Sequence, residues 1–299
     1  MNQSEMMAKM ENGRGFIAAL DQSGGSTPKA LKGYGIEEGA WGSEEEMFDL
    51  IHQMRSRIIT SPCFGSGKVI GAILFERTMD GEVAGKPTPH ALIDLGVVPF
   101  IKIDKGLDAE ADGVQMMKPI PELTGLLERA KQLGVFGTKE RSVINLANRE
   151  GIAAVVAQQF DVARVVLGHG MVPIIEPEVS IKSPERDAAD RILLEEILKN
   201  FEAIPEGQRV MLKLSIPAQA GLFEPLVRHS KVLRLVALSG GFSREEACRE
   251  LARNPGMIAS FSRALLSDLR HDQSDEEFDR TLGTAIDEIY EASIEKVAA

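Results

Sequence analysis

Lys213 stands alone as an amine in an apolar, strand-like run, Val210-Met-Leu-Lys-Leu-Ser-Ile-Pro217. Removing an ammonium from water is costly, so such a lysine is paired, reaches solvent at a sheet edge, or gives up its proton. A neutral amine is a nucleophile that forms Schiff bases with carbonyl compounds. Other polar groups recur two residues apart in similar runs: Lys139 with Arg141, Glu176 with Glu178, Lys102 with Asp104, and Ser215 beside Lys213. Strand side chains alternate faces, so the members of each pair point the same way. Ile101 and Ile103, like Leu212 and Leu214, take the alternate positions, as expected where the outward face of a parallel strand meets helices. The polar face is then the interior one. There Lys213 can attack a ketone once a nearby cation such as Lys139 favours its neutral form, and Glu176 and Glu178 can supply a general acid and base. Asp21, in Leu20-Asp-Gln-Ser-Gly-Gly-Ser26, adds a carboxylate with two hydroxyls close by.

The elements that must position these groups follow from periodicity. Apolar runs at 15–20, 70–76, 98–104, 136–144, 172–178, 209–215, 233–238 and 257–262 read as strands. Amphipathic segments at 44–59, 120–133, 146–167, 184–201, 244–253 and 275–297 read as helices, with a shorter one at 90–95 after a Gly/Pro turn region. Ser43-Glu-Glu-Glu46 and Ser243-Arg-Glu-Glu246 fit capping boxes, and Ser183-Pro184 places proline at a first helical position. Strands alternating with helices predict a parallel sheet, and eight such units predict a closed (β/α)8 TIM barrel. An open doubly wound sheet lacks support, because no G-x-G-x-x-G follows the first strand. The expectation is a single α/β domain over 1–299, with extra helical segments at both termini and a glycine-rich loop at 28–42. Active sites of such barrels lie at the C-terminal ends of the strands.

Two features after the last strands suggest anion binding. In Ser239-Gly240-Gly241 glycine lets backbone N–H groups approach a phosphate, and Arg263 follows the eighth strand in Phe261-Ser-Arg-Ala-Leu265. Loops after strands seven and eight commonly build a phosphate site in this fold. The chain has 299 residues, 43% hydrophobic and 26% charged, with a net charge of −11. That balance argues for a sizeable core and against nucleic acid or an anionic membrane as partner. Cys63 and Cys248 have no CxxC spacing, the start of the chain is polar, and the apolar runs at 69–75 and 97–101 are strand-sized. A soluble cytoplasmic protein is expected. The five histidines are scattered, without metal-type spacing, so no metal and no cofactor is expected.

At these residues the chain resembles class I fructose-bisphosphate aldolases of a compact, bacterial-looking form. The matching motifs run from Leu20-Asp-Gln-Ser-Gly-Gly-Ser26 through Ile73-Leu-Phe-Glu-Arg-Thr78, Ile101-Lys-Ile-Asp-Lys-Gly106, Lys139-Glu-Arg141 and Val172-Pro-Ile-Ile-Glu-Pro-Glu178 to Met211-Leu-Lys213, Leu238-Ser-Gly-Gly241 and Phe261-Ser-Arg-Ala-Leu265. The resemblance implies that Lys213 is the Schiff-base lysine and Glu176 its acid/base, with Glu178 and Lys139 as tuning neighbours. Asp21 matches the carboxylate near the bond that is cleaved. Ser239, Gly240, Gly241 and Arg263 match the phosphate site shared with dihydroxyacetone phosphate, and Lys102, Arg141, Ser23 and Ser26 match further substrate contacts. The implied reaction is metal-independent, reversible cleavage of fructose 1,6-bisphosphate in glycolysis, and the implied partners are small sugar phosphates; a homo-oligomer is compatible with the sequence. Gln22, Glu140 and Ala30 depart from animal-type members, which carry Glu, Trp and Arg there, and the terminal tyrosine tail is absent. The alternatives are another Schiff-base phosphosugar aldolase or transaldolase, a zinc-dependent aldolase, and a non-catalytic phosphosugar-binding barrel.

Overall fold

A computed structural model describes residues 1–297. Eight parallel strands form one sheet in chain order: β1 (Phe16–Leu20), β2 (Val69–Leu74), β3 (Val98–Lys102), β4 (Gly137–Ile144), β5 (Val172–Val179), β6 (Val210–Ser215), β7 (Val232–Leu238) and β8 (Met257–Ala259). The Ala19 N–H donates to the Phe261 carbonyl at 3.2 Å, tying the first strand to the residues just past the last. The sheet is therefore a nearly closed (β/α)8 barrel, and each strand lies within a few residues of its sequence-predicted run. Short antiparallel pieces decorate it, among them Val114–Gln115, which pairs with the end of β4.

The helices are α1 (Gln3–Asn12), α2 (Ser26–Gly33), α3 (Glu44–Thr60), α4 (Glu76–Asp80), α5 (Thr88–Asp94), α6 (Leu123–Gln132), α7 (Arg149–Gly168), α8 (Arg186–Asn200), α9 (Glu224–Val227), α10 (Arg244–Ala252), α11 (Arg263–Leu266) and α12 (Asp275–Ile294). Three details correct the sequence reading. The segment 28–42 is not one loop: Thr27 and Leu31, four residues apart, bury one face of α2, and a 3₁₀ turn follows at Glu38–Ala40. Pro184 lies ahead of α8, whose N-cap is Glu185. Ser43 makes only half of its predicted box, since the Glu46 carboxylate accepts from the Gly42 N–H at 2.6 Å instead; the Ser243 box is complete. By length and composition α7 is also apolar enough to cross a membrane, unlike the strand-sized runs singled out above. Here it packs on β4, β5 and α8, with half of its apolar window buried.

Two apolar clusters divide the core. Between strands and helices lie the outward residues such as Ile101, Ile103, Leu212 and Leu214. Inside the barrel lie Ile17, Ile73, Phe100, Ile174, Met211 and Val236, with Met6 and Met10 of α1 packed among them. α1 thus closes the N-terminal end, held there by Arg234, which donates to the Met10 and Gly13 carbonyls. Further along the same strands the interior turns polar: Phe100 is followed by Lys102, Ile174 by Glu176 and Met211 by Lys213. Alternation carries the two-residue step; the C-terminal mouth holds the charge.

Candidate active site

At the mouth, Lys213 Nζ of β6 lies 3.0 Å from Glu176 Oε1 of β5. The second oxygen of that carboxylate faces Lys139 Nζ of β4 at 2.9 Å, and Lys139 also reaches Asp21 Oδ2 at 2.6 Å. Lys213, Glu176, Lys139 and Asp21 are all buried. Two amines and two carboxylates so form a chain, Lys213–Glu176–Lys139–Asp21, across the barrel from β6 to the end of β1.

The protonation of this chain follows from its contacts. Burial would push the Asp21 carboxyl up, but Lys139, Lys213 and Lys102 outweigh it and hold Asp21 well below the ordinary carboxylate range. Burial likewise opposes ionisation of Glu176, and Lys139 with Lys213 overrides it, leaving that pKa lowered. For Lys139 burial disfavours the cation, while Asp21, Glu176 and Asp104 outweigh it and raise its pKa above the usual lysine value. Lys139 is therefore a fixed cation, and Asp21 is a fixed anion at neutral pH.

The outer part of the mouth adds two more pairs. Arg141 Nε meets Glu178 Oε2 at 2.5 Å, so Glu178 faces Arg141 two residues above the Lys213–Glu176 contact. Lys102 Nζ meets Asp104 Oδ1 at 2.6 Å; burial lowers its pKa, only partly offset by Asp104. Ser26 Oγ accepts the Ser23 N–H at 2.9 Å and donates to the Ser23 carbonyl at 2.8 Å, fixing the loop that opens α2 on the rim.

The loops after β7 and β8 also meet. Gly240 and Gly241 adopt φ of 60° and 118°, backbone that favours glycine. A Cβ on Gly240 would stand 2.6 Å from Ile181, and one on Gly241 would stand 3.4 Å from Arg263 Nη2. The glycine turn and the guanidinium are thus neighbours, with Ser239 buried at the end of β7. Among the described residues Arg263 makes no ion pair, and it is exposed.

Two buried groups, Arg55 and Gln159, escaped the sequence reading, and a third, Glu140, entered it only as a departure from animal-type members. Arg55 of α3 is fully buried, donating to Thr78 Oγ1 at 2.7 Å and to the Gln22 carbonyl at 2.5 Å. Burial, against the pull of Asp21, brings its pKa down to about 10. Gln22 in turn donates to Ser262 Oγ at 2.5 Å, so one relay fixes the residues beside both Asp21 and Arg263. Gln159 of α7 accepts the Glu176 N–H at 2.8 Å. Glu140, pointing outward between Lys139 and Arg141, is fully buried; burial and the nearby Asp104 raise its pKa well above the ordinary value. A separate cleft is lined by Glu76, Lys105 and Arg129 among others; these charges pair with one another and not with the Lys213 chain.

Comparison with known proteins bears on the family and the fold. The family model described as Fructose-bisphosphate aldolase class-I matches residues 3–200. Among solved structures, a fructose-bisphosphate aldolase from Plasmodium falciparum, in a ternary complex with TRAP and a small-molecule inhibitor, superposes with a TM-score of 0.78 at 22% identity, covering 99% of this chain and 96% of that one. Cgl0159 from Corynebacterium glutamicum gives a TM-score of 0.55 at 13% identity over 97% and 92% of the two chains. At those identities the structural likeness speaks for the barrel fold. The family match spans well over half of the sequence, and by it this chain is a member of the class I fructose-bisphosphate aldolases.

Proposed function

We propose that this protein catalyses the reversible aldol cleavage of fructose 1,6-bisphosphate to dihydroxyacetone phosphate and glyceraldehyde 3-phosphate through a Schiff base on Lys213. The observation that carries the proposal is the 3.0 Å contact between the Lys213 amine and Glu176, buried at the barrel mouth beside the fixed cation Lys139. A proton passed along that contact turns an ion pair into a neutral amine and a carboxylic acid. The amine attacks the C2 carbonyl. Glu176 then protonates the carbinolamine hydroxyl, which leaves as water, and the iminium forms. Asp21, kept ionised by Lys139, accepts the proton of the C4 hydroxyl as the C3–C4 bond breaks. The electron pair of that bond moves to the iminium as an enamine, and the aldehyde departs. Protonation at C3 and hydrolysis of the imine return Lys213 and release dihydroxyacetone phosphate.

Charge supports an anionic substrate in a chain of net charge −11. Around the mouth the cations Lys102, Lys139, Lys213, Arg141, Arg55 and Arg263 outnumber the carboxylates Asp21, Asp104, Glu176 and Glu178. Ser239, Gly240, Gly241 and Arg263 would hold the phosphate of the dihydroxyacetone half. Lys102 and Arg141, at the mouth on β3 and β4, and Ser23 and Ser26, in the loop that opens α2, would supply further contacts to the substrate, including its other phosphate.

The test is borohydride reduction in the presence of dihydroxyacetone phosphate, followed by peptide mass spectrometry and a cleavage assay on fructose 1,6-bisphosphate. A stable adduct on Lys213 and cleavage of the bisphosphate are the expected results. Active protein that forms no adduct would overturn the Schiff-base mechanism. An adduct without bisphosphate cleavage would transfer the site to another phosphosugar aldolase or transaldolase reaction.

A further inference from the structure

The contact between Lys213 and Glu176 lies where β5 and β6 part. Their paired register covers only Ile174 with Met211 and Ile175 with Leu212. By contrast, β5 stays in register with β4 as far as Val179, and β6 with β7 as far as Ser215. Beyond Ile175 two side chains take over. Gln159, reaching in from α7, accepts the Glu176 N–H on Oε1 at 2.8 Å. Higher up, Ser215 donates its Oγ hydrogen to the Val179 carbonyl at 2.6 Å. Both residues are buried. A buried N–H without an acceptor is costly, and the intervening Pro177 has no N–H to contribute.

Gln159 is out of character for its position. It lies on the buried stripe of α7 with Val155, Val156, Phe160 and Ala163. A polar side chain there is unfavourable unless it is hydrogen-bonded, and the bond it makes among the described residues is the one to Glu176. Gln159 so anchors to α7 the backbone of the residue whose carboxylate meets the Lys213 amine, and the bond from Ser215 to Val179 ties the two strands above that contact.

We propose that Gln159 and Ser215 are positioning residues, Gln159 by holding the Glu176 backbone against α7 and Ser215 by tying β6 to β5, and that together they set the reach of Glu176 to the nitrogen and oxygen atoms bonded at the substrate C2. Neither touches the substrate. The inference rests on the reading of Lys213 as nucleophile and Glu176 as its acid/base. Loss of water from the carbinolamine requires Glu176 within hydrogen-bond reach of the departing hydroxyl, and an ångström of misplacement costs as much as about a hundredfold in rate. Phosphate capture depends on the loops after β7 and β8 and is unaffected by these two bridges.

The experiment follows adduct formation on Lys213 with time, in dihydroxyacetone phosphate and borohydride, whose hydride reduces the imine to a secondary amine. Wild type is compared with Gln159→Met, which keeps length but loses the acceptor, Gln159→Glu, which keeps an acceptor oxygen, and Ser215→Ala. Inorganic phosphate affinity, read by competition, serves as the control. Gln159→Met and Ser215→Ala are expected to slow trapping by about tenfold or more, with phosphate affinity unchanged, and Gln159→Glu to recover most of the rate. Variants that trap at the wild-type rate overturn the positioning proposal and leave the Schiff base standing. A wild type that never traps overturns both. Parallel loss of trapping and phosphate affinity, or unfolding of both Gln159→Met and Ser215→Ala by circular dichroism, makes the bridges purely structural and overturns the positioning proposal as well.

Discussion

Lys213 and Lys139 share Glu176, yet only the removal of Lys139 leaves a buried carboxylate without its partner. In Lys213→Met, Glu176 keeps Lys139 at 2.9 Å and Asp21 keeps the same partner at 2.6 Å. No carboxylate is orphaned, and an apolar side chain suits the inward face above Met211. Cleavage activity is expected to vanish while the urea midpoint stays near that of wild type. In Lys139→Met, Asp21 loses its only ion-pair partner among the described residues, and Glu176 retains Lys213 alone. Breaking a buried pair from one side costs ~3–5 kcal/mol, so this variant should lose both activity and stability. Equal stabilities of the two variants in urea would contradict the chain of contacts. Arg263 is the opposite case, exposed and without an ion pair among the described residues. Arg263→Ala should leave the fold unchanged and weaken phosphate binding by ~1.5–3 kcal/mol, the scale of a charge-assisted hydrogen bond; an unchanged KM and phosphate affinity would remove it from the site.

Helices here do more than cover strands, because their polar residues hold the loops that follow the reactive strands. Asp190 of α8 is buried, accepts the Ala218 N–H at 2.9 Å just beyond β6, and is joined there by Arg186, which donates to the Ile216 carbonyl. Burial pushes the Asp190 carboxyl up to about 6, above its ordinary value. Between the unfolded and folded values the folded state binds more protons, so this group lowers stability as pH rises through that window. Asp190→Asn keeps an acceptor for Ala218 and abolishes the ionisation. Its gain in unfolding free energy should grow between pH 4 and 7.5, reaching up to about 2 kcal/mol; urea titrations at the two pH values check the sign. Such supports were only half legible beforehand. The eight strands were readable because apolar runs and turn residues agree, and the mouth because charges sit two apart within those runs. The helix α2 was hidden by Gly25, Pro28 and Gly33, whose turn character is overridden by burial of Thr27 and Leu31. Arg55 and Gln159 did leave a trace: each falls four residues after a buried aliphatic, Ile51 and Val155, on its helix's apolar stripe. Periodicity reveals that such a residue is buried. It does not reveal that it meets Gln22 or Glu176, since those contacts are made by chain closure around the barrel.

Over the whole molecule the barrel interior divides into an apolar floor and a charged mouth, and the two ends are expected to respond independently to mutation. The floor consists of inward residues such as Ile17, Phe100 and Met211 together with Met6 and Met10 of α1. Met10 is fully buried there, and Arg234 grips its carbonyl at 2.7 Å. Truncating a buried methionine to alanine costs ~2–5 kcal/mol, the spread reflecting how far the surroundings collapse into the cavity. Met10→Ala is expected to lose stability in that range by urea unfolding. The Lys213–Glu176 contact sits beyond the Met211 layer, and the side chains that hold it, Gln159 of α7, Lys139 of β4 and Ser215 of β6, lie outside the apolar cluster to which Met10 belongs. The kcat and KM of folded Met10→Ala protein should therefore match wild type well below its unfolding midpoint. A fall in kcat of tenfold or more under folded conditions would mean that strain passes from floor to mouth, and the two halves of the interior would then have to be treated as one packed unit.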